Sequence, residues 1–341
     1  MNNYKNKRNR AILLAVLGMA GIIAVFTIKP RHKKWIANSG ITWNTEYTIK
    51  YFHDTDLSDS IIATMRTVEL SVSPFNKISR LTAINDNRTD TLDQLLLTLY
   101  KHSSAINRES GGAFDPTVSP LVNLWGFGYE KTAAPGTHTI DSILQFVGIG
   151  KTRLDGMRLI KSDSRTTFNF SAIAKGLGCD EVGRMLERNG VENYLVEIGG
   201  EIVAKGKNPG NKLWRISIDK PIDSNDTVMH SSAGIIEISS CGIATSGNYR
   251  NYHSDSSGNK IAHTINPKTG MPEQSDVLSA TVIAPDCMTA DAYATTFMVL
   301  GLKRSKELIA KHPGIAAMLI TSGPDGKFSA WKSDGFPQFV Q

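Results

Sequence analysis

Asn169-Phe170-Ser171-Ala172-Ile173-Ala174-Lys175-Gly176 is the stretch on which the fold of this chain turns. A strand ends in it and a helix begins. Ser171 is the expected N-cap, since a serine hydroxyl there can accept a free N–H of the first turn. The helix is expected over 172–189, where Asn189-Gly190 provides a C-terminal stop. A helix N-terminus presents free N–H groups and positive dipole to phosphates. Lys175 lies in the first turn, where the dipole disfavours a cation, so its presence suggests an anionic neighbour. From this segment alone an exposed lysine would read the same way.

On either side the pattern alternates between strands and helices. Thr42–Tyr51 is rich in β-branched and aromatic residues and reads as a strand. Residues 58–72 and 91–107 have helical apolar spacing, and 139–147 suggests another helix. Short strands are expected near 152–170, then at 193–206, 213–219, 235–247 and 278–284. Helices over 287–301 and 303–311 and strands near 315–331 complete the chain. Strands in hairpin-like runs with helices between them favour an α+β class over a regular βαβ repeat.

Residues 11–28, AILLAVLGMAGIIAVFTI, carry no charge. As a helix they span about 27 Å, enough to cross a bilayer core. We read 1–10 as a basic N-terminal segment, 11–28 as an uncleaved transmembrane anchor, 29–40 as a basic juxtamembrane linker, and 41–335 as one folded domain. Four Lys/Arg precede the apolar run and four follow it, so the positive-inside rule leaves its orientation open. The 341 residues carry a net charge of +6, but those eight flanking residues account for it. Beyond them stand 30 basic and 32 acidic residues, which argues for lipid head groups and against a nucleic-acid groove. Cys179, Cys241 and Cys287 are widely spaced and form neither a disulfide framework nor a zinc motif. Gly148-Ile149-Gly150-Lys151-Thr152 imitates the end of a P-loop, but Gln145 stands where the first glycine is required.

Five segments could carry chemistry. Ser110-Gly111-Gly112-Ala113-Phe114-Asp115-Pro116-Thr117-Val118-Ser119-Pro120 is a helix-breaking yet apolar loop, suited to a binding wall or to a structural turn capped by Asp115. The segment around Lys175 is the second. In Glu197-Ile198-Gly199-Gly200-Glu201 the glycine pair permits a tight turn or close approach of a ligand. Thr245-Ser246-Gly247-Asn248-Tyr249 precedes His263-Thr264-Ile265-Asn266-Pro267-Lys268-Thr269-Gly270, a polar loop with a histidine at its mouth, a candidate for acid–base work. In Thr289-Ala290-Asp291-Ala292-Tyr293-Ala294-Thr295-Thr296, Asp291 and Thr295 share a helix face and offer hard oxygen ligands that suit Mg2+.

In this order, the segments resemble the ApbE-type flavin transferases, FAD:protein FMN transferases, over about residues 40–335. The resemblance implies an α+β, T-fold-like domain. It further implies Mg2+-dependent cleavage of FAD, attachment of FMN through a phosphoester to a threonine of an acceptor flavoprotein, and release of AMP. Acceptors in such a family are subunits of membrane electron-transfer complexes, and its members act on the outer side of the cytoplasmic membrane. Carried over by position, Ala172 (by its carbonyl), Asp291 and Thr295 are the implied metal ligands. Trp43, Phe75, Ala113, Phe114, Asp115, Asn169, Lys175 and Thr264 are the implied dinucleotide contacts, with His263 and Asp291 as catalytic groups. Trp43-Asn44-Thr45 replaces the usual Met-Gly-Thr, Phe75 a common tyrosine and Asn169 a common aspartate. A pyrophosphatase releasing free FMN and a tethered flavin carrier are the competing readings.

Overall fold

The computed structural model describes residues 32–127, 137–220, 231–247, 252–254, 260–262, 264–322 and 328–340. The expected anchor over 11–28 and His263 lie outside these residues. Among the described residues no helix is long and apolar enough to cross a membrane.

Among the described residues seven α-helices occur: α1 Ser58–Val72, α2 Arg80–Asn85, α3 Gln94–Glu109, α4 Ser119–Leu124, α5 Thr137–Leu144, α6 Ala174–Arg188 and α7 Cys287–Ile309. The strands are β1 Lys34–Thr42, β2 Thr45–His53, β3 Thr152–Asp155, β4 Arg158–Lys161, β5 Tyr194–Ile198, β6 Glu201–Lys205, β7 Trp214–Lys220, β8 Ser231–Ile238, β9 Cys241–Gly247, β10 Tyr252–Ser254, β11 Lys260–Ala262, β12 Val277–Ala284, β13 Ala316–Ser322 and β14 Phe328–Lys332. Eight strands form one sheet in the order β1-β2-β5-β6-β9-β12-β13-β14, with every neighbouring pair antiparallel. Hairpins β3–β4, β7–β8 and β10–β11 stand apart from it. The α+β expectation therefore holds.

Period-two alternation sorts the side chains between two faces. Tyr47, Ile49 and Tyr51 of β2 and Tyr194, Val196 and Ile198 of β5 pack against Ile61 and Met65 of α1 and Val182 and Leu186 of α6. Ala280 and Val282 of β12 and Ala317 and Leu319 of β13 join the α3 and α7 core. Leu195, Ile202, Ile243, Met318 and Ile320 point the other way, against Trp214, Ile216 and Ile218 of β7. The helices thus cover one face of the sheet and the β7–β8 hairpin the other.

Three sequence expectations change. Residues 35–40, expected as linker, belong to strand β1, which pairs along its whole length with β2. Trp35 is fixed there by Phe52 and Trp214, with ring centroids 5.4 and 5.7 Å away. The turn between these strands is Trp43-Asn44, both with positive φ (49° and 58°), as a tight two-residue hairpin requires. A bulky side chain in that region is uncommon. Finally, α6 starts at Ala174, not 172. Ile173 is its N-cap and makes no side-chain cap, while Ser171 donates its own N–H to Asn169 Oδ1 at 2.8 Å. The expected break near 302 is real: Gly301 (φ 72°) interrupts α7, and Asp276 Oδ1 accepts the Leu302 N–H at 2.9 Å.

Candidate active site

The helix-facing side of one sheet end collects the β1–β2 turn, the β5–β6 turn, the end of β9 and the N-termini of α6 and α7. The β5–β6 turn is Gly199-Gly200, with φ of 63° and 94°. It delivers Glu201 to the helix side, in step with Val203. Glu201 is buried, and its Oε1 meets Lys175 Nζ at 2.5 Å. Its Oε2 is buried with no hydrogen-bond partner among the described residues. Asp291, on the first turns of α7, is also buried. One of its oxygens accepts the Gly176 N–H at 3.0 Å, so a residue far along the chain caps α6 in place of Ser171. Thr295 lies one turn beyond Asp291, and its hydroxyl meets Ser246 Oγ of β9 at 3.2 Å.

Two buried carboxylates share one ammonium, and their acidities show it. Burial pushes Glu201 up to about 7, an effect opposed by Lys175 and reinforced by Asp291. Burial likewise raises Asp291, against the pull of Lys175 and the Gly176 N–H. Burial would lower Lys175, but Glu201 and Asp291 hold it above its ordinary value. The lysine in the first turn thus has the anionic neighbours that the dipole argument called for.

Close approach of the two helices depends on glycine. A Cβ on Gly176 would stand 2.4 Å from the Cys287 carbonyl oxygen, and one on Gly178 would stand 2.3 Å from the Trp43 ring. Trp43 therefore lies on α6 beside the centre, and its Nε1 is buried without a partner among the described residues. On the other face of the sheet a cleft of about 620 Å³ is lined by Thr45, Glu46, Gly199, Gly200 and Thr245, so the same glycine turn borders both spaces.

The remaining expected contacts form a second group. Ala113 and Phe114 are buried in the α3–α7 core. Asp115 is a hub: Oδ1 accepts from the Thr117 N–H (2.9 Å) and hydroxyl (2.6 Å), and Oδ2 from Asn107 Nδ2 (3.1 Å) and the Ile149 N–H (2.9 Å). Even so, burial raises its pKa. Four donors commit this carboxylate to holding its loop. Asn169 joins that loop by its N–H, which donates to the Pro116 carbonyl at 2.7 Å. Thr264 is buried, and its carbonyl accepts the Glu273 N–H at 2.8 Å. Its loop reaches the same wall through Gly270, whose carbonyl accepts Trp125 Nε1 at 2.8 Å. Phe75 is 61% exposed on the loop after α1.

Glu201 and Asp180 are the residues that sequence reasoning passed over. Alternation with Val203 could have exposed Glu201 as a carboxylate on the buried side of β6. Asp180 accepts the Cys287 and Met288 N–H groups, each at 2.9 Å. Burial pushes its carboxyl up to about 7, against those two bonds. The folded state therefore holds this proton more tightly than the unfolded chain. Its contribution to stability is complete below the ordinary value of 3.8 and is lost as pH rises through 7. The urea midpoint of Asp180→Asn is expected to fall less than that of the wild type between about pH 5 and about pH 7.5. Equal slopes would contradict the raised pKa.

A fold with this site is that of a flavin transferase, and the chain belongs to the ApbE family, whose pattern matches residues 43–319. It is 35% identical to the FAD:protein FMN transferase of Haemophilus influenzae, covering 95% of this chain and 98% of that one. It is 37% identical to the enzyme of the same name from Vibrio cholerae, covering 89% and 92%. Among solved structures, the flavin transferase ApbE from Vibrio cholerae superposes with a TM-score of 0.81 at 35% identity, covering 90% of this chain and all of that one. The apo flavinyl transferase ApbE from Pseudomonas stutzeri superposes at 0.78, with 30% identity and coverage of 90% and 97%.

Proposed function

We propose that the chain is an Mg2+-dependent FAD:protein FMN transferase that attaches FMN to a threonine of an acceptor flavoprotein. The observation that carries this reading is the buried Lys175–Glu201–Asp291 centre between two helix N-termini. The threonine oxygen forms a bond to the phosphorus on the FMN side of FAD. The bond from that phosphorus to the bridging oxygen breaks, and AMP leaves with its electron pair. The threonine proton passes to a base, for which His263 is our candidate.

The donor set suits a hard divalent cation. Asp291 gives one oxygen to Gly176 and keeps the other. The Thr295 hydroxyl and the Ala172 carbonyl supply neutral oxygens, and the centre carries two carboxylates for one lysine. Among the described residues no three His, Cys, Asp or Glu side chains form a metal cluster, so neutral oxygens would complete the coordination. Bound there, Mg2+ supplies charge neutralisation to the pyrophosphate and polarises a phosphoryl oxygen.

The protein's own groups do the rest. Lys175 and the start of α6 stabilise charge on the phosphates. Trp43 Nε1, without a partner among the described residues, offers a donor, and the Trp43 and Phe75 rings offer stacking faces. Ala113, Phe114, Asp115, Asn169 and Thr264 shape the wall for the dinucleotide. The segment 11–28 anchors the domain on the outer side of the cytoplasmic membrane. There it raises the effective concentration of acceptor subunits of membrane electron-transfer complexes.

The test incubates the full chain in detergent with FAD, Mg2+ and a candidate acceptor, and follows AMP, free FMN and acceptor mass. Transfer predicts AMP together with an FMN-sized mass gain on a threonine. AMP with free FMN alone identifies a pyrophosphatase, and bound FAD without AMP a carrier. His263→Ala is expected to slow transfer while leaving FAD affinity unchanged. Equal loss of both makes His263 a binding contact instead.

A further inference from the structure

Two helices meet head to head at the centre, and each carries a carboxylate that binds the other's N-terminus. Asp291 of α7 accepts the N–H of Gly176 in the first turn of α6. Asp180 of α6 accepts the N–H groups of Cys287 and Met288, the first two residues of α7. Asp286 caps the same turn from its own chain, accepting the Thr289 N–H at 2.7 Å, and its carbonyl accepts from Ala290 N at 3.2 Å. Of the free donors that open an α-helix, those of Cys287, Met288 and Thr289 are satisfied in α7, two of them by Asp180 alone.

We infer that Asp180 is a positioning residue for transfer: by clamping the first turn of α7 it sets where Asp291 and Thr295 stand relative to Lys175 and Gly176. The role rests on the transferase reading above, and on three further features of the molecule. Asp180 is 5% exposed, so it acts through what it holds. Asp291 follows Met288 by three residues on a rigid helix, so any tilt of the first turn carries both oxygen donors with it. The clamp also has no slack, since Gly176 already meets the Cys287 carbonyl at closest approach and Gly242 of β9 meets the Cys287 nitrogen from the other side, its Cβ position lying 2.2 Å away. A one-turn segment held by two glycine contacts and one carboxylate has a single seat.

Asp180→Asn preserves shape and removes the clamp. An amide has one acceptor oxygen, and its NH2 would face the second N–H, donor against donor. Loss of a group that orients a metal ligand typically costs 10–100-fold in metal affinity or activity. The full-length variant is therefore expected to need about tenfold more Mg2+ for half-maximal AMP release, with FAD affinity in the absence of Mg2+ unchanged. Val182→Ala, a buried truncation on the same helix, is the comparison for destabilisation alone. It is expected to lower the unfolding midpoint without moving the Mg2+ requirement.

Hydrogen exchange gives a readout independent of turnover. Amide protection is expected to fall at 287–291 and at Gly176 in Asp180→Asn, and to persist there in Val182→Ala. An unchanged Mg2+ requirement with unchanged protection overturns the positioning role, as does an equal shift in both variants. A wild-type chain that releases no AMP overturns the transferase reading instead, and the exchange result then stands as a test of the clamp alone.

Discussion

Asp291→Ala loses on the order of 10³-fold in Mg2+-dependent turnover and still folds. Two effects on stability oppose each other. The Gly176 N–H is left bare, which costs about 1–3 kcal/mol for a buried donor. A buried carboxylate whose charge is disfavoured also disappears, and this offsets the loss. The unfolding midpoint is thus expected to move little. Turnover has no such compensation. Without Asp291 the centre keeps Lys175 paired to Glu201, a pair with no net charge. AMP release across a Mg2+ titration, alongside urea unfolding, measures both quantities. Turnover near the wild-type level would overturn the proposed metal role of Asp291.

Gly176→Ala is expected to be among the most damaging single-methyl changes in the molecule. On helix propensity alone, alanine gains about 1 kcal/mol over glycine inside a helix. Here the new methyl would lie 2.4 Å from the Cys287 oxygen and 2.7 Å from Met288 Cα. Both are backbone atoms of a turn that Asp180 and Gly242 hold in place, so no side chain can rotate away. Overpacking of this kind costs about 1–3 kcal/mol and more where nothing gives, so the steric effect exceeds the propensity gain. The variant is expected to unfold at lower urea and to lose transfer activity, because α7 can move only by carrying Asp291 with it. A midpoint equal to or above that of the wild type would contradict this close approach.

What the sequence revealed and what it hid follow from the range of the interactions. The β5–β6 turn was legible because Gly199-Gly200 encodes its own positive φ. The shared face of Asp291 and Thr295 was legible from a spacing of four. Strand β1 was not, because Asn38, Ser39 and Gly40 give it little β character of their own, and it is a strand through pairing with β2. The start of α6 was misplaced for the same kind of reason. Ser171 was the best local cap, yet the helix is capped by a carboxylate 115 residues away. The loop sequence alone fits Asp115 to a binding wall or to a structural turn, and one of its four donors is the Ile149 N–H, which no local pattern connects to it. Glu201 alternates in step with Val203, and the sheet shows that this is the side the helices cover.

The exchange of carboxylates between α6 and α7 also sets when this protein can work. Its bonds join residues 107 to 115 positions apart, and the centre draws on residues from Trp43 to Asp291. Domains begin to fold from the N-terminal side as the chain is made, and contacts this distant form late. A nascent chain can complete the β1–β2 hairpin and α6 while α7 is still unmade, but Gly176 then has no cap and Lys175 lacks one of its two anions. Activity is therefore withheld from partial chains and arrives with the last helix of the centre, so FAD meets a complete site or none.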